Sequence, residues 1–212
     1  MPNYQYTVRR FNIPELEGIS AKQIEIHLKL YEGYVKFTNT LRETLAELRK
    51  DSDLPDMPAQ SWQAGKNAYA LGEVMRRFGF EFNGMRMHEY YFEQFEGGPL
   101  TMNKNSLLAS ALAEKYGDWD GFINHFKSVG LMRGIGWTIL AYDPVGKTPH
   151  VYWVNDHELG QLAGLPVLLA MDMWEHAYMI DYVPAEKAKY IDAFLSNVNW
   201  SVLDKRFGEI KQ

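Results

Sequence analysis

Pro166-Val-Leu-Leu-Ala-Met171, running directly into Asp172-Met-Trp-Glu-His176, is the stretch that decides how this chain must fold. An unbroken apolar run without polar alternation reads as a strand buried on both faces. It sets the Asp172 carboxylate at the carboxyl end of that strand, where open α/β sheets commonly place ligands. His176 follows four residues later, with Trp174 and Glu175 between. A buried acid beside a buried imidazole needs partners, because an unpaired buried charge is very costly. One metal ion satisfies both.

Upstream, two more β-like runs cover residues 137–142 and 150–154, joined through Asp143-Pro-Val-Gly146. Before them, helical patterns cover residues 106–116 and 118–129, closed by Gly117 and Gly130. Helices over 184–197 and 201–210 end the chain. The N-terminal half has a different grammar. Ser20-Ala-Lys-Gln23 is a capping box, in which the Ser hydroxyl accepts from the Gln23 N–H and the Gln side chain reaches back. Ile19 and Ile24 form its hydrophobic staple. A long helix follows, with Ile24, His27, Leu28, Tyr31, Tyr34, Val35, Thr38, Leu41, Leu45 and Leu48 at helical spacing. It ends before Asp51-Ser-Asp-Leu-Pro55, and Pro55 and Pro58 keep the next stretch extended. A second helical region covers 61–95, with Asn83-Gly84 as a weak point, until Gly97-Gly-Pro99 breaks it. The expected class is α+β: an N-terminal long α-hairpin domain (residues 1–98), then a C-terminal α/β domain (residues 99–212) with a small three-stranded antiparallel sheet.

Composition narrows the chemistry. The 212 residues carry a net charge of −5 and contain no cysteine. Disulfides, iron–sulfur clusters, thiolate zinc sites and a cysteine nucleophile are thereby excluded. Any metal must be held by histidine nitrogen or carboxylate oxygen, and there are six histidines. No basic run of the kind that binds nucleic acid is present. The longest apolar stretch, 162–171, contains Gly164 and Pro166 and is too short to span a membrane. The N-terminal residues lack the apolar core of a signal peptide. A cytoplasmic protein is expected.

The histidines differ in what surrounds them. Taken alone, His27 on the first helix and His88 on the second each read as packing residues bonded to a backbone carbonyl. On an antiparallel hairpin the two face one another, as bundle metal ligands do. Asp172 and His176 form the stronger pair. His157, in Asn155-Asp-His-Glu158, precedes the strand leading to Asp172 and is able to point at the same site, although spacing alone leaves this open. His125 and His150 read as surface or packing residues. No His-Glu-x-x-His metalloprotease motif is present, and no histidine has Glu three residues before it as di-iron bundles require. Gly134-Ile-Gly136 precedes a Trp and a strand, unlike a phosphate-binding loop. What remains is one mononuclear site of three His and one Asp.

Ile19-Ser-Ala-Lys-Gln-Ile-Glu-Ile-His27, Gly134-Ile-Gly-Trp137, Asp172-Met-Trp-Glu-His-Ala-Tyr178 and Asn197-Val-Asn-Trp200 together resemble the iron/manganese superoxide dismutase family, in order and over nearly the whole chain. The resemblance implies one Fe or Mn ion per subunit, with His27, His88, Asp172 and His176 as ligands and a metal-bound hydroxide or water as the fifth. Superoxide is then the substrate, converted to dioxygen and hydrogen peroxide. It also implies catalytic roles for Tyr34, as gateway, and for His157, bonded to the metal-bound solvent at a position where many members have Gln and some archaeal members His. The alternative Gln position on the second helix corresponds to Gly84, which leaves room for His157. Glu175 is implied to reach His176 across the two-fold axis of a homodimer, with further pairing to a tetramer left open. Trp137, Trp174 and Phe92 line the pocket, whereas Trp62 reads as a core aromatic.

The chain also departs from the family pattern. Leu30-Tyr-Glu-Gly-Tyr34 is one residue shorter than the usual stretch after the first ligand, Tyr31 replaces a family His, and Met179 replaces a family Tyr. Those two normally meet across the interface, so both ends of one contact have changed. A repurposed metal-binding member of the same fold, or another mononuclear non-haem iron enzyme such as an oxygenase, is the alternative. A third His ligand argues against the latter, because it occupies a position that substrates would need.

Overall fold

The computed structural model describes residues 4–50 and 67–210. The extended stretch expected around Pro55 and Pro58, the start of the second helix at 61–66, and Trp62 lie outside the described residues. Two long helices open the fold: α1, Ala21–Lys50, and α2, Ala68–Glu93. They pair antiparallel, with His27 against His88, Tyr34 against Gly84, and the Asn67 amide donating to the Leu48 carbonyl. Asn83-Gly84 is not a weak point. The helix runs unbroken through it, because the missing side chain is what lets the two helices approach: a Cβ at Gly84 would lie 2.5 Å from the Tyr34 ring.

Half of the expected capping box forms. Ser20 Oγ accepts the Gln23 backbone N–H at 3.1 Å. Gln23 does not reach back, since the Ser20 N–H donates instead to Asp181 Oδ2 at 2.7 Å. The Gln23 amide is thereby free for another contact.

Beyond Pro99 come α3, Leu107–Tyr116, and α4, Trp119–Gly130, capped by the Ser106 and Asp118 side chains. Three strands follow: β1, Trp137–Asp143, β2, Thr148–Val154, and β3, Val167–Asp172. They form one antiparallel sheet of order β2-β1-β3. The segment expected as one helix from residue 184 divides into a 3₁₀ turn, Pro184–Glu186, and α5, Lys187–Asn197. Proline favours the first turn but donates no backbone N–H, so the tighter turn absorbs it. α6, Trp200–Ile210, completes the fold.

Central strand β1 is buried from Trp137 to Tyr142. Gly136, just before it, adopts φ +109°, and a side chain there would collide with the Val154 carbonyl. Only glycine allows the backbone to pass this closely, and Trp137 is delivered to the interior as a result. Outer strand β3 is gripped by α2. Buried Gln94, immediately after that helix, donates to the Ala170 carbonyl at 2.7 Å and accepts the Ala170 N–H at 3.3 Å. The side-chain amide thus substitutes for a neighbouring strand. Among the described residues, no helix is long and apolar enough to cross a membrane.

Gln94→Ala should cost about 2–4 kcal/mol, because it leaves a buried backbone N–H and C=O unpaired. Urea unfolding of the variant beside the parent protein measures this directly.

Candidate metal centre

Four side chains from four separate places converge where the helical pair meets the sheet. α1 contributes His27, α2 contributes His88, the end of β3 contributes Asp172, and the 3₁₀ turn Glu175–Ala177 contributes His176. One ligand atom from each lies within 4.8 Å of all the others. The Nε2 atoms of His27 and His176 lie 3.1 Å from Asp172 Oδ2, and His88 Nε2 lies 3.6 Å from it. His27, His88 and Asp172 are buried, while the His176 side chain keeps a quarter of its exposure.

Hydrogen bonds fix the way two of these groups point. His88 Nδ1 lies 2.6 Å from the Gly84 carbonyl, which only accepts, so Nδ1 carries the proton and Nε2 offers its lone pair. That Nε2 is buried with no hydrogen-bond partner. Asp172 Oδ1 accepts the Trp174 N–H at 2.8 Å, which turns Oδ2 toward the imidazoles. Behind it, the Tyr190 hydroxyl donates to the Asp172 carbonyl. Burial lowers the pKa of His27 and drives that of His88 well down, favouring neutral rings. Burial alone would raise Asp172, but charge and hydrogen bonds from His176, with those of His27, hold it well below the usual carboxylate range. Lone pairs and a carboxylate directed at one point are the donor set of a cation site. The residues fit iron or manganese.

Two turns along α1 from His27, on the same face, stands a second arrangement. Trp137 Nε1–H donates to His157 Nδ1 at 3.0 Å, so the neutral ring carries its proton on Nε2. His157 Nε2–H then donates to the Tyr34 hydroxyl at 2.7 Å. Tyr34 accepts this bond and retains its own O–H for another partner. Burial lowers His157 to about 4 and raises Tyr34 well above the ordinary tyrosine value. The Tyr34 ring centroid lies 5.0 Å from that of His88, which puts the hydroxyl chain beside the four converging groups. Gly84 makes room for the Tyr34 ring, since the atoms nearest a Cβ there all belong to Tyr34. The expectation that it makes room for His157 is corrected accordingly.

The other expected residues take distinct places. Phe92 packs at 5.0 Å on His27, Trp137 at 5.2 Å on His88, and Trp174 stacks at 5.8 Å on His176. Tyr31 is buried, and its hydroxyl accepts the Arg9 N–H and donates to Glu89, away from the four groups. Glu175 and Met179 are exposed. His125 stacks on Tyr116, and His150 lies in β2 paired with Ala141. Sequence reasoning missed Tyr91, 4.8 Å from His27, and Phe80, 4.6 Å from His157 with the Arg77 guanidinium over its ring. Both lie on α2 at helical spacing from His88, which was the available signal.

Residues 104–206 match the family model for iron/manganese superoxide dismutases, C-terminal domain. The chain is 34% identical to an iron superoxide dismutase of Aquifex pyrophilus over 193 residues, covering 91% of this chain and 85% of that protein. It is 29% identical to an iron superoxide dismutase of Sulfolobus acidocaldarius, covering 97% and 94%. A manganese superoxide dismutase of Haloarcula marismortui is 32% identical, covering 80% and 75%. With this fold, this donor set and these relatives, the chain belongs to the iron/manganese superoxide dismutase family.

His157 makes the stability of the metal-free protein depend on pH. Its folded pKa of about 4 lies below the ordinary histidine value of about 6.5, so the unfolded chain takes up the proton first as pH falls. Its contribution is therefore fully present above about pH 6.5 and is lost toward pH 4, by about 3 kcal/mol. Denaturant unfolding across this range should show a shallower loss for His157→Gln.

Proposed function

We propose that this protein disproportionates superoxide, 2 O₂⁻ + 2 H⁺ → O₂ + H₂O₂, using one iron or manganese ion per subunit held by His27, His88, Asp172 and His176. The observation that carries this reading is the buried meeting of three imidazole nitrogens and one carboxylate, with unpartnered His88 Nε2 among them. When bound, the ion supplies a one-electron couple, cycling between its divalent and trivalent states. Everything else falls to the chain. Phe92, Tyr91, Trp137 and Trp174 enclose the imidazoles in aromatic surface and exclude bulk water. Tyr34 Oη holds a proton for the peroxide product. His157, locked by Trp137 in one tautomer, keeps that hydroxyl oriented, and with both ring nitrogens engaged its link to solvent at the metal would run through Tyr34 Oη.

The proposed form is a cytoplasmic homodimer of subunits with domains 1–98 and 99–212. Gly97 and Gly98, both at positive φ between α2 and the following segment, support a boundary there. Support for the dimer comes from the edge of the site. Glu175 is exposed, His176 is partly exposed, and His176 Nδ1 has no hydrogen-bond partner among the described residues. Glu175 of one protomer reaching the partner's His176 would supply that partner, since ligating imidazoles almost always donate their second N–H.

Protein loaded separately with iron and with manganese should remove superoxide with at least one metal, and inactivity with both would overturn the assignment. His157→Gln should keep its metal while changing activity and metal preference. Glu175→Ala should elute as a monomer in size-exclusion chromatography and hold metal roughly tenfold more weakly.

A further inference from the structure

Gln23 is a buried polar residue whose amide the helix cap does not use. It lies on α1 one turn before His27, hence on the same face. Its Nε2–H donates to the His176 carbonyl at 2.7 Å, and its Oε1 accepts the Ile180 N–H at 3.1 Å. A single planar group thus grips both ends of the short segment that runs from His176 to Ile180. The His176 ring needs such support more than its neighbours do. It is the one partly exposed member of the four and sits on a three-residue 3₁₀ turn. His27 and His88 are instead set on long helices.

We propose that Gln23 is a positioning residue for the metal centre: through its amide, α1 sets the place of His176 relative to His27. This rests on the reading of His27 and His176 as ligands. The two belong to parts of the chain nearly 150 residues apart, and the amide fixes their separation by one hydrogen bond to the main chain of the second. The Gln23 end of both bonds is buried, and losing them releases the turn.

Gln23→Met keeps the length and removes both bonds. Gln23→Glu keeps an acceptor for the Ile180 N–H but no longer donates to His176. Tyr182→Phe is the control, because the Tyr182 hydroxyl ties the same two segments through the Gly18 carbonyl without touching either residue. Each purified holoprotein would be checked for folding by circular dichroism. Iron release to a chelator and the paramagnetic resonance spectrum of the Fe³⁺ form would then be recorded. The expected result is release about tenfold faster and an altered spectrum for both Gln23 variants, with Tyr182→Phe like the parent in both. If Gln23→Glu folds and matches the parent in release and spectrum, the proposal is overturned; equal changes in Tyr182→Phe overturn it as well. His176→Ala separates the underlying reading: if that protein retains iron like the parent, the ligand assignment itself fails.

Discussion

A carboxylate with no exposure at all, set in an interior of aromatic rings, is the constraint around which this molecule is arranged. Removing such a charge from water costs several kcal/mol unless partners replace the solvent. The Asp172 carboxylate has them on both oxygens: the Trp174 N–H on one and imidazole nitrogens on the other. The position at the end of β3 makes them possible, because the register opposite Trp137 aims the side chain at the seam between the sheet and the helical pair. A slip of one residue would turn it to the opposite face.

The same economy governs the imidazoles. Each neutral ring has one donor and one acceptor nitrogen, so its outer contact decides what its inner nitrogen can do. For His88 that contact is its own helix, through the Gly84 carbonyl, and Gly84 also admits the Tyr34 ring. One residue therefore serves a tautomer through its carbonyl and a helix–helix approach through its missing side chain. For His157 the contact is Trp137, whose indole can only donate. Backbone and aromatic groups that never titrate thus dictate the proton positions of groups that do.

Much of this was legible in the chain. The uninterrupted apolar run before Asp172 marked a buried strand, and its end falls where the carboxylate is needed. The helical pair followed from the periodicity around His27 and from the two breaks that bound it, and β1 and β2 from their flanking turn residues. What was not legible depended on distant partners. Ser20-Ala-Lys-Gln23 reads locally as a closed capping box, but Asp181, some 160 residues away, takes the Ser20 N–H instead. Asn83-Gly84 reads locally as a break, but packing against Tyr34 overrides helix propensity. Tyr31 aligned with a family His, yet Arg9 and Glu89 claim its hydroxyl. Local pattern announces what a segment prefers, and tertiary contact decides which preference is used.

The spacing of the four converging residues has a consequence for the life of the chain before it is finished. A ribosome that has released only α1 and α2 has presented two imidazoles and no carboxylate from this set. The third and fourth members lie four residues apart, so the set goes from half built to complete almost at once. Any ion captured earlier would be bound by a fragment of the site, without the geometry that distinguishes one metal from another. The supply of free metal once Asp172 and His176 have emerged, rather than before, would then decide which ion each molecule carries.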